Sequence, residues 1–148
     1  MKARHCIPSA VMLFLVQEDR VLLQRRLNTG YMDGCWDCGA SGHVETGESM
    51  RQAMVREARE ELGVEIAVDD LEFATMTHKY ALDDGRGYVN VYFIAHRYRG
   101  EPCIMEPNKC AEIAWFSIQQ LPVDLIADRR QAWENFHQAV MYDEEIMV

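Results

Sequence analysis

The fold is decided by residues 42–64, which read Gly42-His-Val-Glu-Thr-Gly-Glu48-Ser-Met-Arg-Gln-Ala-Met-Val-Arg56-Glu57-Ala-Arg-Glu60-Glu61-Leu-Gly63-Val64. Residues 49–62 contain neither Pro nor Gly, and Gly63 follows them as a residue that commonly closes a helix. The preceding segment is polar and contains two glycines, which predicts a loop. The stretch therefore predicts a glycine-rich turn that leads directly into a helix.

The predicted helix carries its acidic residues on a stripe that continues an apolar one. In projection, Glu57, Glu60 and Glu61 share an arc of about 100°. The apolar residues in the same arc, one and two turns earlier, are Met50, Ala53 and Met54. A neighbouring arc holds Val55, Ala58 and Leu62, and the residues assigned to solvent are Gln52, Arg56 and Arg59. The carboxylates thus lie on the side of the helix that is predicted to pack.

Two interpretations of these carboxylates compete. Glutamates on a helix often do no more than solvate its surface. However, Glu57 and Glu61 are like charges four residues apart, which costs a few tenths of a kcal/mol when they are exposed. If they are partly buried, they repel at ~6 Å by roughly 3 kcal/mol at an effective dielectric of 20. A divalent cation would turn this repulsion into attraction, and carboxylate oxygens favour Mg²⁺ or Mn²⁺ over softer metals. The glycine-rich turn could add a backbone carbonyl ligand.

Composition limits the functions open to the chain. The 148 residues include 15 Lys and Arg against 24 Asp and Glu, a net charge of −9, which disfavours duplex nucleic acid and anionic membranes as partners. The longest apolar run, residues 10–16, is too short to span a bilayer. The five cysteines favour reduced thiols and a cytoplasmic location. No linker or repeat divides the chain, so residues 1–148 are expected to form one domain.

The rest of the chain predicts strands around the central helix and a second helix after them. Strands are expected at residues 10–16 and 21–25 as a hairpin, near Trp36, and at residues 64–68, 71–80, 88–97 and 112–116. Ser117-Ile-Gln-Gln120 has the form of a capping box that opens one helical turn. A final helix is expected at about residues 128–142, with Trp133, Phe136, Val140 and Met141 on one face. The predicted class is α+β.

Residues 42–64 resemble the box that defines the Nudix hydrolases. That pattern is Gly, five residues, Glu, seven residues, Arg-Glu, an aliphatic residue, any residue, Glu-Glu, any residue, Gly and an aliphatic residue. All seven fixed positions match, and Ala58 at an aliphatic position is the one soft departure. A second departure precedes the box, where the family often has Pro-Gly-Gly and this chain has Ala40-Ser41-Gly42. The resemblance implies an α/β/α sandwich with a mixed β-sheet over nearly the whole chain.

The resemblance also implies a chemistry, namely water attack on a phosphorus of a nucleoside diphosphate derivative or a nucleoside triphosphate. It implies that Glu57, Glu60 and Glu61 bind Mg²⁺ or Mn²⁺, together with a backbone carbonyl at Ser41 or Gly42. Arg56 would pair with Glu48 and orient Glu57. The general base would be Glu57, Glu60 or a carboxylate from a later loop, where Glu106 and Glu112 are candidates for an extra metal ligand or for the base.

The substrate is less well defined by the sequence. Arg25 or Arg26 resembles in position an arginine that meets substrate phosphate in relatives. The proline typical of ADP-ribose hydrolases and the upstream pattern of coenzyme A hydrolases are both absent from the sequence, whereas Tyr80 has a spacing seen in dinucleoside polyphosphate hydrolases. Residues that could stack on a base or else belong to the core are Trp36, Tyr88, Tyr92 and Trp115. Relatives commonly form homodimers, although these residues show no interface.

Three functions remain open at this point. The favoured one is a metal-dependent pyrophosphohydrolase of a small nucleotide. A hydrolase of an isoprenoid or other non-nucleotide diphosphate is the second, and a ligand sensor without turnover is the third.

Cys35-Trp-Asp-Cys38 could begin a zinc site with Cys103 and Cys110, but the second pair has the wrong spacing.

Overall fold

The computed structural model describes residues 2–147 and contains, within them, an eight-stranded mixed sheet between two α-helices. The elements are β1 (Ser9–Gln17), β2 (Arg20–Arg26), β3 (Trp36–Cys38), β4 (Ala40–His43), α1 (Met50–Leu62), β5 (Glu72–Tyr80), β6 (Gly87–Ala95), β7 (Cys110–Ser117), α2 (Ala127–His137) and β8 (Tyr142–Ile146). A 3₁₀ turn covers Val68–Asp70. The expected α/β/α sandwich with a mixed sheet is confirmed.

β1 is the strand on which the two layers of core meet. Val11, Leu13 and Leu15 belong to a buried cluster with residues of α1, such as Met54. The alternate residues of β1, such as Phe14, belong to a second cluster on the face that packs against α2. Because successive side chains of a strand point to opposite faces, a strand buried on both sides is apolar throughout. This explains the unbroken apolar run at residues 10–16.

The sheet order brings the predicted loop beneath α1. The strands follow the order β3-β2-β1-β6-β5-β8, with β4 paired to β1 and β7 paired to β2; the β1–β6 and β5–β8 pairs are parallel and the others antiparallel. β3 pairs with β2, and the next strand, β4, pairs with β1 instead. Gly39 lies between β3 and β4, and its N–H donates to the Leu13 carbonyl at 3.0 Å. β4 then leads into the loop before α1.

Local chemistry fixes both ends of α1. The Ser49 hydroxyl accepts from the N–H of Gln52 at 3.1 Å, and the Gln52 side-chain oxygen accepts from the N–H of Ser49 at 2.8 Å, which is a capping box. Gly63 has a φ of +70°, and its N–H donates to the Arg59 carbonyl at 3.0 Å. The predicted helix and its closing glycine are therefore confirmed.

Four local predictions are wrong. Residues 64–68 form one bridge, between Glu65 and Arg99, instead of a strand, and residues 117–120 form a hydrogen-bonded turn without helix. Residues 40–43 form β4 because their backbone pairs with β1, although residues 42 and 43 belong to the segment predicted as a loop. The last helix ends at His137, since Ala139 adopts a left-handed φ of +57°, and residues 142–146 form β8 beside β5.

In the described part of the chain, neither helix has the length and apolarity to cross a bilayer.

A buried ion pair joins the sheet to α2. The Asp37 carboxylate of β3 accepts from Arg129 Nε and from Arg26 Nη1, each at 2.7 Å. Asp37 is fully buried and Arg129 is 5% exposed, so neither charge has ready access to water. Burial raises the pKa of Asp37, but the two guanidinium groups together outweigh it and hold that pKa below its ordinary value.

We expect Asp37→Ala to lower the free energy of unfolding by about 3–5 kcal/mol, because it leaves the Arg129 guanidinium buried without its carboxylate. Urea unfolding followed by tryptophan fluorescence measures this change, with the exposed Asp83→Ala as control. The difference from the wild-type protein should hold at pH values above about 4 and shrink as the pH falls through the lowered folded-state pKa of Asp37. Equal stability of the two variants would contradict this role.

Candidate active site

Arg56 ties the loop between β4 and α1 to the helix. Its Nη2 and Nε donate to the two carboxylate oxygens of Glu48 at 2.7 and 3.1 Å, and Nη2 also donates to the His43 carbonyl at 3.0 Å. Glu48 in turn accepts from the N–H of Glu45 at 2.8 Å. The guanidinium, 20% exposed, therefore lies over the loop, so its assignment to solvent by the helix projection is wrong. Arg56 is long enough to reach around the helix, which a projection of Cβ positions does not show.

The same guanidinium contacts the acidic stripe of α1. Arg56 Nη1 donates to Glu57 at 2.7 Å and to Glu60 at 3.3 Å. The hydrogen bond from Arg56 holds the pKa of Glu48 below its usual range, and the bond to Glu48 raises the pKa of Arg56. Arg56 is thus a fixed positive charge that orients carboxylates from both the loop and the helix.

Glu57 and Glu61 lie against the backbone of β4. The Glu61 carboxylate accepts from the N–H of Ser41 at 2.8 Å and from Gln24 at 3.5 Å. Burial raises the pKa of Glu61 to about 8, with a further rise from the charge of Glu57 and only partial compensation from the Ser41 N–H. Burial also raises the pKa of Glu57, in spite of its bond to Arg56. Glu60, in contrast, has a side chain that is 55% exposed.

Gly42 is required by the close approach of Glu57. A Cβ built at position 42 would lie 2.2 Å from the carboxylate carbon of Glu57, well inside van der Waals contact. Any side chain at position 42 would therefore move the Glu57 carboxylate from its place beside the β4 backbone. The match of Gly42 to the family box therefore has a steric reason in this chain.

Glu106 extends the acidic cluster, whereas Glu112 lies elsewhere. The segment before Glu106 lies against the C-terminal end of α1, where the Met105 N–H donates to the Glu61 backbone carbonyl at 3.3 Å. The charge of Glu106 contributes to the raised pKa of Glu57 and of Glu61. Glu112 pairs with Arg25 at 3.9 Å across β7 and β2, as their register requires.

The donor set of this cluster fits a hard cation. It offers carboxylate oxygens in a partly buried place where the raised pKa values of Glu57 and Glu61 show that their negative charge lacks stabilisation. Within residues 2–147, no three His, Cys, Asp or Glu side chains stand in a metal-ligand arrangement. In this structure Arg56 supplies positive charge to Glu57 and Glu60 instead.

A cavity of about 490 Å³ opens on the α2 side of the sheet, and the glutamates of the acidic cluster are not in its lining. Ser41, Gly42 and His43 form one part of its lining and are shared with the cluster. The cationic residues in the lining are Arg26, Lys79 and Arg129. The volume is in the range of small-molecule sites.

The structure separates the two arginines that the sequence left as alternatives. Arg26 lines the cavity, where it stacks at 5.3 Å on the ring of Tyr31, another lining residue. Arg25 is not in that lining; it lies 4.7 Å from the centre of the Trp36 ring and pairs with Asp124 at 3.4 Å.

The aromatic candidates divide in a similar way. Trp36 and Tyr92 belong to the buried core, and Tyr92 accepts a hydrogen bond from Arg129 at 3.1 Å. Trp115 packs against the other core cluster, and Tyr80 is not in the cavity lining. Tyr88 is the one of these aromatic residues that lines the cavity. Sequence reasoning missed other lining residues, namely Tyr31, Lys79, Asn90, Asp128, Arg129 and Met147, because they come from five separate segments with no common spacing.

Comparison with known proteins defines the class. The NUDIX domain model matches residues 7–138, and the chain belongs to this family. The crystal structure of the MutT NUDIX hydrolase from Burkholderia pseudomallei superposes with a TM-score of 0.77 and 27% identity, covering 87% of this chain and 97% of that one. The resemblance noted in residues 42–64 is therefore confirmed.

Two curated relatives show which kinds of protein the chain is similar to. The CTP pyrophosphohydrolase of Escherichia coli is 42% identical over 60 residues, which cover 40% of this chain and 44% of that protein. The NAD-capped RNA hydrolase NudC of Pseudomonas aeruginosa is 33% identical over 120 residues, covering 78% of this chain and 37% of that protein. The chain thus spans less than half the length of either relative.

We expect Arg56→Gln to release the loop at residues 43–48, because Glu48 then loses the guanidinium that holds it. Hydrogen exchange measures this directly, since the Glu45 N–H is bonded to the Glu48 carboxylate. Exchange in this loop should become faster in Arg56→Gln and stay unchanged in Arg59→Gln, a matched control that removes a surface pair with Glu65. Unchanged loop protection in Arg56→Gln would contradict the role given to Arg56.

Proposed function

We propose that this chain hydrolyses the diphosphate linkage of a small nucleoside diphosphate derivative or nucleoside triphosphate, with a divalent cation. The observation that carries the proposal is the double role of Ser41 and Gly42. Their backbone contacts the carboxylates of Glu61 and Glu57, and the same two residues line the cavity. A diphosphate in the cavity would therefore lie next to the acidic cluster.

The cation would be held by Glu57, Glu60 and Glu61, with a backbone carbonyl at Ser41 or Gly42. We propose Mg²⁺ or Mn²⁺, because all these donors are oxygens. A cation held there supplies positive charge that stabilises the diphosphate and favours ionisation of a water nucleophile. It would also relieve the unfavourable burial of the Glu57 and Glu61 charges.

A carboxylate of this chain would accept the proton of the attacking water. A water oxygen forms the new bond to phosphorus, the bond from phosphorus to the bridging oxygen breaks, and the water proton passes to a carboxylate. Glu57, Glu60 and Glu106 are the candidates for this base, since all three belong to the cluster. Glu112 is a weaker candidate, because it is paired with Arg25. Arg56 acts as a positioning residue, since it fixes Glu48, Glu57 and Glu60.

The cavity lining favours a nucleotide over an isoprenoid diphosphate. An isoprenoid chain needs an apolar wall, whereas this cavity also presents Asn90, Asp128, Lys79 and Arg129. A nucleobase combines apolar faces with a hydrogen-bonding edge and uses both kinds of residue. Arg26 would meet the phosphates in preference to Arg25, because Arg26 lines the cavity.

We also propose a reducing compartment such as the cytoplasm, because all five cysteines are free thiols. The partner would be a small phosphoanhydride, not duplex nucleic acid or a membrane, in keeping with the net charge of −9. A homodimer is consistent with the family resemblance, and sedimentation would test it.

We expect Glu57→Gln and Glu60→Gln to lower kcat by about a hundredfold or more, through loss of a cation ligand or of the base. The measurement is Mg²⁺-dependent hydrolysis of a mixed panel, with products separated by chromatography. The panel contains nucleoside triphosphates, nucleotide sugars, dinucleoside polyphosphates and an isoprenoid diphosphate. Turnover should also disappear when a chelator removes the cation.

Glu65→Gln is the matched control for these variants. Glu65 lies just beyond α1 and bonds to Arg59 at the surface, so its loss should leave turnover unchanged. Turnover of the isoprenoid diphosphate alone would favour the second candidate function. Tight nucleotide binding without turnover of any compound would overturn the hydrolase proposal and favour a ligand sensor.

Gly42→Ala should weaken cation binding by about tenfold or more, because the new methyl group would displace the Glu57 carboxylate. Binding of Mn²⁺, followed by electron paramagnetic resonance, measures this without any turnover. Thermal unfolding checks that the variant is folded. Unchanged Mn²⁺ affinity in the folded variant would show that Glu57 does not need its place beside residue 42.

A further inference from the structure

Residues 139–147 lie beyond the part of the chain that the NUDIX family model matches. They are nevertheless tied to the family domain by regular backbone pairing. β8 runs parallel to β5, and the backbone bonds at its two ends are Met76 N–H to the Met141 carbonyl at 3.0 Å and Met147 N–H to the Tyr80 carbonyl at 2.7 Å. Thr75 donates its hydroxyl to the Val140 carbonyl at 2.8 Å. The segment is therefore a fixed part of the sheet.

Alternate residues of this segment face the cavity side of the sheet. Asp143 accepts from Asn135 of α2 at 3.2 Å, Glu145 pairs with Lys79 at 3.9 Å, and Met147 lines the cavity. The period of two along a strand places these three residues on one face. Ile146 lies between the last two of them and is 46% exposed. The segment thus contributes Met147 to the cavity lining, while Asp143 and Glu145 contact Asn135 and Lys79.

Lys79 connects this segment to the opposite wall of the cavity. Its ammonium group pairs with Asp128 at the start of α2 as well as with Glu145, and both Lys79 and Asp128 are in the cavity lining. Burial lowers the pKa of Lys79, but the two carboxylates outweigh this effect, so Lys79 remains a cation. Glu145 is the outer partner of Lys79, with a side chain that is 53% exposed.

The cavity lining suits a planar heterocycle. Met12, Tyr31, Tyr88 and Met147 offer apolar and aromatic contact, and Asn90 with the Lys79–Asp128 pair offers hydrogen-bond donors and acceptors. The phosphate-side residues, Ser41 and Gly42, are in the same lining. One cavity therefore combines a place for a base with a place for its phosphates.

We propose that residues 139–147 are a specificity element of the substrate cavity, in which Met147 contacts the base and Glu145 positions the Lys79–Asp128 pair that reads its edge. This inference rests on the proposed function, because it assumes that the cavity takes a nucleotide. These residues lie outside the box at residues 42–64 and outside the match to the family model.

Binding measurements on the full chain test the role of Met147 without turnover. The probes are α,β-methylene analogues of the four common deoxynucleoside triphosphates and the matching deoxyribose triphosphate without a base, titrated by calorimetry in the presence of Mg²⁺. Met147→Ala should raise the Kd of base-containing probes by roughly three- to tenfold and leave the abasic probe unchanged. Ile146→Ala, one residue away on the exposed face, should change neither.

Glu145→Gln tests the positioning role, since it keeps the size of the side chain and removes its charge. We expect it to change the ratio of Kd values among the four bases, which a purely structural effect would not move. Thermal unfolding of each variant checks that β8 is retained.

The outcomes separate this inference from the proposed function. Base-dependent binding that Met147→Ala weakens, in a protein without turnover, would overturn the hydrolase and support the specificity element. If the protein hydrolyses its substrate but Met147→Ala changes the Kd of base-containing and abasic probes equally, the specificity element is overturned and the hydrolase is supported. Absence of nucleotide binding in the wild-type chain would overturn the inference outright.

Discussion

The carboxylates of Glu57 and Glu61 lie against the backbone of Ser41 and Gly42, and the arrangement of the site depends on this contact. It requires glycine at position 42, since a Cβ there would lie 2.2 Å from the Glu57 carboxylate carbon. It also requires β4 to pair with β1, because that pairing holds residues 41 and 42 beneath α1. The contact therefore links the central strand, the helix and the loop between them into one unit.

Burial of these two carboxylates is electrostatically unfavourable for the protein alone. Burial raises the pKa of Glu61 to about 8, and Glu57 and Glu106 add negative charge nearby. Arg56 compensates part of this charge by bonding Glu48, Glu57 and Glu60 together. Groups with strongly shifted pKa values gathered beside a cavity are typical of functional sites. A cation that binds there would gain from the same charges that destabilise the unliganded site.

The two helices have different tasks in this arrangement. α1 carries the acidic cluster, whereas α2 supplies Asp128 and Arg129 to the cavity lining. The pair between Asp37 and Arg129 holds α2 to β3, and Asp37 also binds Arg26 of the lining. The positions of Arg26 and Arg129 thus depend on a buried carboxylate that does not itself line the cavity.

The sequence by itself determined what is local. The order of Gly42, Glu48, Arg56, Glu57, Glu60 and Glu61 predicts a loop, a helix and a shared acidic stripe, because these features depend on spacing along one helix. The apolar run at residues 10–16 predicts a buried strand, because a strand that is covered on both faces is apolar throughout. Even the family was readable at this level, since its box is a continuous stretch of chain.

Only the tertiary structure decided what depends on distant segments. The choice of Arg26 over Arg25 follows from the cavity lining, which contains Arg26 and not Arg25, and the partly buried place of Arg56 follows from the reach of a long side chain toward Glu48. Residues 40–43 and 142–146 became strands because β1 and β5 offered them partners, which local propensity does not report. The cavity brings together Lys79, Asp128 and Met147 through sheet pairing and helix packing, so no spacing in the sequence could indicate it.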